Sequence, residues 1–229
     1  MDKNNLNAEA RTEKRMSTKT FAAMGMLCAI AFVAKLISSV FPMVSGFLSF
    51  DLKDVIIVIG GFMMGPIPAM IISVVVSFIE MITISSTGPI GFIMNVLASC
   101  SFACVAAVIY HRNRKMSGAI TGLIAGVLVM TGVMILWNWL ITPLYMNVPR
   151  EVVAGMLAAV FLPFNLIKGG INATLAMLLY KPIVNSLRKA HLIEESPSGK
   201  GTTKKGVLIV SLVLLVTFVL MGLALAGVI

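Results

Sequence analysis

The sequence predicts an all-α membrane protein, a six-helix bundle followed by one additional C-terminal transmembrane helix. Three observations carry this. Of 229 residues, 59% are hydrophobic and 12% charged, with a mean hydropathy of +1.00, whereas a soluble domain carries about 25% charged residues. Several apolar runs approach or exceed the roughly 20 residues that a helix needs to cross the hydrocarbon core. The basic residues behind the net charge of +9 cluster in short connections and tails, which is the positive-inside pattern and not a nucleic-acid footprint. The predicted surroundings are a lipid bilayer, with no nucleic-acid partner and no separate soluble domain.

Residues 1–19 are polar and basic, with Lys3, Arg11, Lys14, Arg15 and Lys19, and read as a cytoplasmic tail. The long charged leader, with no small-residue cleavage site after the apolar run, argues against a signal peptide. The bundle occupies 20–190. Its first span, about Thr20–Phe41, contains Gly25-x-x-x-Ala29, a small-xxx-small pattern that permits close helix approach. Lys35, near its outer end, is expected to snorkel. Pro42–Lys53 is a loop whose aromatics, Phe47 and Phe50, suit either a cavity cap or interface anchoring.

Val55–Ile84 reads as one long span or as two, broken at Gly60-Gly61 and at Gly65-Pro66-Ile67-Pro68. Two spans place the N-terminal tail, His111–Lys115 and the basic segment after Tyr180 on one side, and the positive-inside rule favours that solution. The first of the two, about Val55–Met64, is short for a crossing at 1.5 Å per residue. It has to be tilted or supplemented by the preceding loop. Glu80, one turn before the outer end of the third span, lines a cavity or reaches the interface.

The fourth span is about Ile90–Tyr110, and its one strongly polar residue, Asn95, suits interhelical hydrogen bonding. The fifth, about Ser117–Ile141, holds Gly118, Gly122, Gly126 and Gly132 for tight packing. Trp137, Trp139 and Tyr145 beyond its middle fit an interfacial aromatic belt. Asn138, an amide between two indoles, suits a planar aromatic ligand with polar edges. The sixth span is about Val152–Tyr180, with Pro163 as a candidate kink. Residues 191–205 form a polar linker, and 206–229 the seventh span.

The sixth span contains the least membrane-like stretch, Val160–Asn172. Asn165, Lys168 and Asn172 fall at i, i+3 and i+7 on one helix face. A charge at mid-bilayer costs at least about 2.5–3.5 kcal/mol unless it faces protein or water. Lys168 lies about 13 residues from Lys181 and about 18 from Arg150, roughly 20 and 27 Å along a helix, beyond a lysine's reach. The three residues are therefore expected to face a buried cavity or another helix.

Chemistry is sparse. No nucleotide-binding loop, metalloprotease motif or nucleophile elbow is present, so the chain is not expected to be an enzyme. Cys100 and Cys104 share a helix face, but no His or carboxylate joins them as a metal set, and Cys28 reads as a packing residue. His111 and His191 read as solvated. Glu80 is the only carboxylate inside a predicted span, so a self-sufficient secondary transporter is the weaker alternative. The sequence best fits a binding component that depends on a partner for energy.

Leu162-Pro163-Phe164-Asn165-Leu166-Ile167-Lys168-Gly169 resembles the riboflavin-specific substrate-binding (S) components of energy-coupling factor (ECF) transporters. The stretches Phe47–Val55, Gly60–Pro66 and Asn138–Tyr145 resemble that family in the same order, and the resemblance covers about 20–190. It implies high-affinity capture of a vitamin from outside, riboflavin or a close flavin, with a different small vitamin as the alternative. Its partners would be a transmembrane coupling protein and two cytoplasmic ATPases. ATP is used by those partners, and no cofactor belongs to this chain. By the family's motifs, Asn138, Asn165 and Lys168 would hydrogen-bond the isoalloxazine edge. The loop around Phe47 and Ser49 would close over the ligand, while Glu80 and Asn95 complete the candidate ligand-binding set. Gly25 and Ala29 would dock on the coupling protein. With the site empty, Lys168 is expected to pair with water or Glu80. The seventh span has no counterpart in the six-helix pattern.

Overall fold

The computed structural model describes residues 17–190 and 205–228. Most of the predicted tail and linker, His191 included, lies outside them. Seven helices follow in order: α1 Thr18–Ser38, α2 Lys53–Met64, α3 Pro66–Thr83, α4 Gly88–Arg112, α5 Met116–Met146, α6 Arg150–Lys189 and α7 Lys205–Leu225. All except α2 are long and apolar enough to cross a membrane. Ser17 caps α1 by accepting from the backbone N–H of Thr20, which satisfies one of the orphan donors of a helix start.

The short helix lies at the centre. α2 packs on α1, α3, α4 and α6, and 10 of its 12 residues are buried. Twelve residues rise about 18 Å, so α2 cannot span alone. The preceding loop supplements it by folding Phe50 and Asp51 into the protein. The break between α2 and α3 is at Gly65 alone, whose φ of +107° favours glycine. Gly60 and Gly61 stay helical, and a Cβ on Gly61 would meet Ala107 and Ala69 at 3.0 and 3.1 Å. Those glycines serve packing, not a turn.

α4 and α5 form the most extensive helix pair. A Cβ on Gly122 would lie 2.7 Å from the Ala106 carbonyl oxygen, and one on Gly126 2.6 Å from that of Phe102. These two glycines let the backbones touch, as small residues do at membrane helix interfaces. α5 continues past the predicted Ile141 through Pro143 to Met146.

α6 also exceeds its expected length, remaining helical through Pro182 to Lys189. Its predicted irregularity at Pro163 is a π-turn at Leu157–Phe161, immediately before the proline. Pro163 has no N–H to give to the preceding turn, and the wider i→i+5 pattern accommodates that loss. The last helix, α7, runs along α6.

Candidate functional site

The loop between α1 and α2 is an ordered turn. Val44 and Leu48 exchange backbone hydrogen bonds of 2.9 and 3.0 Å. Ser45 and Gly46 take φ of 53° and 78°, the left-handed pair that a tight type I′ turn requires. Two aromatic contacts fix it to α6: Phe47 meets Phe161 edge-on at 6.0 Å and Phe50 meets Phe164 at 5.1 Å. Phe161 closes the π-turn, so the irregular segment of α6 is the segment the loop rests on.

Under the loop is a cavity of about 60 Å³, walled by Phe47, Leu48, Met94, Trp137, Asn138 and Tyr145 among others. Pockets for drug-sized ligands run to roughly 300–1,000 Å³, so a fused ring system enters only if the loop moves. Asn138 is buried in this wall. Its Nδ2 donates to the Met134 carbonyl at 2.7 Å, and its Oδ1 accepts from Thr142 at 2.8 Å. Trp139 instead faces outward with Arg150 5.3 Å over its ring, as an interfacial aromatic does.

The same loop also contributes Asp51 to a buried ion network. Lys168 Nζ donates to Asp51 Oδ2 at 2.9 Å. Asp51 also accepts from Lys35 through Oδ1. Glu80 lies 3.2 Å from Lys35 and accepts from Lys53. Asp54 accepts from Ser99, and its second oxygen finds no partner among the described residues. Lys168 is 8% exposed, Asp51 4% and Lys53 1%. Removing ions from water costs several kcal/mol each, repaid only by close and complete pairing. The three lysines meet it through two of the carboxylates, Asp51 and Glu80, while Asp54 has the Ser99 hydroxyl as its partner among the described residues. Burial alone would raise the Asp51 carboxyl, but Lys168, then Lys53 and Lys35, outweigh it and hold it well below the usual carboxylate range.

Several expectations are corrected here. Lys35 does not snorkel; it is buried and paired with Asp51 and Glu80. Lys168 pairs with Asp51 instead of Glu80, which pairs with Lys35 and Lys53. Glu80 thus belongs to the ion network and neither lines the cavity nor reaches the interface. It is also not the only acid at depth, since Asp54 is buried in the first turn of α2. His111 is not simply solvated: its Nε2 lies 3.2 Å from the Gly61 carbonyl oxygen.

Asn165 and Asn172 are buried with Lys168 on α6. Asn165 Nδ2 donates to the Phe161 carbonyl at 2.7 Å, bracing the π-turn, while Asn172 Oδ1 has no partner among the described residues. Asn95 is buried on α4, one residue beyond Met94 of the cavity wall, and Ser49 is half-buried in the loop. The structure brings Phe47 and Asn138 to one cavity and places Lys168 in the ion network that the same loop enters through Asp51. Gly25 and Ala29 sit on the exposed side of α1, and a Cβ on Gly25 would meet nothing within 4 Å. Cys28, Cys100 and Cys104 are free, and no metal-holding group of His, Cys or carboxylates occurs among the described residues.

Asp51, Lys53 and Asp54 are the members that sequence reasoning missed, having been assigned to a loop. A usable signal existed. Two lysines in predicted spans against one glutamate leave a charge uncompensated, and Asp51-Leu52-Lys53-Asp54 directly precedes an apolar helix.

A helical membrane protein with a loop-capped cavity and a buried ion network has the form of a membrane-embedded binding protein. A family model described as the ECF transporter, substrate-specific component, matches residues 19–180. The chain belongs to that family. Its relatives include the riboflavin transporter RibU of Staphylococcus aureus (strain TCH60), 33% identical over 182 residues, which are 75% of this chain and 93% of that protein. Another is the riboflavin transporter FmnP of Bacillus subtilis (strain 168), 28% identical over 189 residues, 77% of this chain and 100% of that one. The solved structure of the S component of a bacterial ECF transporter superposes with a TM-score of 0.64 at 31% identity, covering 76% of this chain and 99% of that one.

Proposed function

We propose that this chain captures riboflavin, or a close flavin, at the loop end of the bundle and delivers it into the cell with an ATP-driven ECF module. The observation that carries the reading is the placement of Lys168, a buried ammonium held by Asp51 of the loop whose Phe47 and Leu48 wall the Asn138 cavity. Isoalloxazine carbonyls and ring nitrogens accept hydrogen bonds from ammonium and amide donors, and Phe47, Trp137 and Tyr145 offer aromatic walls. The names of the two transporter relatives support the same ligand.

In this reading, Asn138, Asn165 and Lys168 contact the ring edge and the Phe47–Ser49 segment closes over it. Asn95 and Glu80 act from behind, by packing and by holding the charge balance. The chain itself carries out no catalysis. A coupling protein with two ATPases supplies the energy, and the exposed Gly25–Ala29 face of α1 receives the coupling protein. The N-terminus and the basic ends of α4 and α6 lie in the cytoplasm, as the positive-inside rule directs, and the loop end lies outside.

Purification in detergent followed by an absorbance spectrum tests the ligand. A co-purified flavin, or quenching of added riboflavin fluorescence, is the expected result. A colourless protein that leaves riboflavin fluorescence unchanged rejects the assignment.

A further inference from the structure

Helix α7 lies beyond the family match, which ends at residue 180, yet it touches the loop that carries the candidate site. Phe218 rests on Gly170 of α6: a Cβ at Gly170 would lie 2.6–2.7 Å from three ring carbons of Phe218, and those are its three nearest contacts. One turn on, a Cβ at Gly222 would lie 3.2 Å from Phe50 and 3.5 Å from Ile167. Leu225 and Ala226 join the same apolar cluster, which includes Val44 and Phe50. An apolar crevice of about 770 Å³ runs along α7 between it and helices α5 and α6, with Val207, Val210, Phe218 and Gly170 in its lining. The contacts at Phe218 and Gly222 are therefore the ones that tie α7 to the loop.

We infer that Phe218 and Gly222 of α7 are positioning residues for the ligand loop, acting through Phe50 on the adjacent Asp51 and its bond to Lys168. Phe218 seats α7 in the notch at Gly170, and Gly222, lacking a side chain, lets the α7 backbone support the Phe50 ring. Phe50 is thus gripped between Phe164 on one side and α7 on the other. Its chain neighbour Asp51 holds Lys168 and Lys35. A shift of α7 away from α6 frees Phe50, and with it the acid that latches the loop.

The inference rests on the flavin reading for its kinetic readout but not for its structural one. In the full-length chain, Gly170→Ala forces Phe218 outward, and Phe218→Ala, made separately, removes the seat of α7 without altering α6. Hydrogen exchange of residues 44–52 is expected to quicken severalfold in each of the two variants. Riboflavin dissociation, followed by fluorescence recovery, is expected to quicken in parallel, with little change in association. Gly222→Leu, which pushes on Phe50 without touching Gly170, is expected to reproduce the faster exchange. Parent-like exchange in both Gly170→Ala and Gly222→Leu overturns the inference. So does a parent-like rate in Phe218→Ala with a fast Gly170→Ala, because the effect then arises within α6. A parent protein that never quenches riboflavin, with the exchange pattern intact, counts against the ligand and leaves the inference standing.

Discussion

Lys168 and Asp51 are 117 positions apart in the chain, and their Nζ and Oδ2 atoms meet at 2.9 Å inside the protein. One belongs to the irregular helix α6, the other to the loop that roofs the cavity. A ligand that accepts from Lys168 would have to share it with Asp51 or displace it, so in the proposed function binding and loop position would be coupled through one ammonium group.

That coupling is measurable by a double-mutant cycle. Lys168→Met and Asp51→Asn each leave a buried charge short of a partner, for which losses of about 3–5 kcal/mol are typical. The double variant is expected to lose less stability than the sum of the two, whereas additive melting-temperature shifts would show the pair to be energetically idle. Ligand affinity behaves differently, since both Lys168→Met and the double variant lack the donor and both are expected to bind poorly.

Glu80→Gln tests the other arm of the network. Lys53, the most buried of the lysines, then loses its charged partner, and Lys35 keeps only Asp51. The expected result is a lower melting temperature in detergent, with an upper bound of about 3–5 kcal/mol, and partial recovery in Glu80→Gln/Lys53→Met. A melting temperature equal to that of the parent would remove Glu80 from the stabilising network.

Asp51 is expected to keep the latch insensitive to moderate pH. The folded-state pKa of Asp51 is depressed below its unfolded value of about 3.9. Its contribution to stability is therefore present above that unfolded value and is lost only as pH falls through the lower folded one. Hydrogen exchange of residues 44–52, corrected for the intrinsic pH dependence of exchange, is expected to report the same opening equilibrium from pH 5 to 8. A transition inside that window would contradict the assignment.

The exposed face of α1 separates binding from delivery. Gly25→Leu and Ala29→Leu fill a surface with no intramolecular neighbour at Gly25, so ligand binding by the isolated chain is expected to match the parent. Co-purification with the coupling module and vitamin uptake by cells are expected to fall. Full uptake by the double variant would exclude this face as the docking surface.

The membrane-spanning helices were legible because lipid demands long apolar runs whose own backbone satisfies every hydrogen bond. The glycines of α5 were legible as packing residues for a related reason, small size at a membrane interface. Helix α2 was legible only in outline. Its length marked it as unable to cross alone, but its first turn carries Lys53 and Asp54, charges that by themselves signal water, not a protein centre.

The site divides along the same line. The helical spacing of Asn165, Lys168 and Asn172, together with the distance of Lys168 from either end of its span, already required a buried polar face. Periodicity and the cost of charge in lipid are local properties of a chain. Which acid would meet which lysine is not local: Asp51 reaches Lys168 across 117 residues, and Lys53 reaches Glu80 across 27. Sequence alone therefore determined that this is a polytopic helical protein with a charge that has to be buried. Only the tertiary structure decided that three lysines and three carboxylates share the core, that Lys35 turns inward, and that the last helix rests on Phe50 of the loop between α1 and α2. The physical reason is that ion pairing depends on distance in space, and the chain order of residues does not specify that distance.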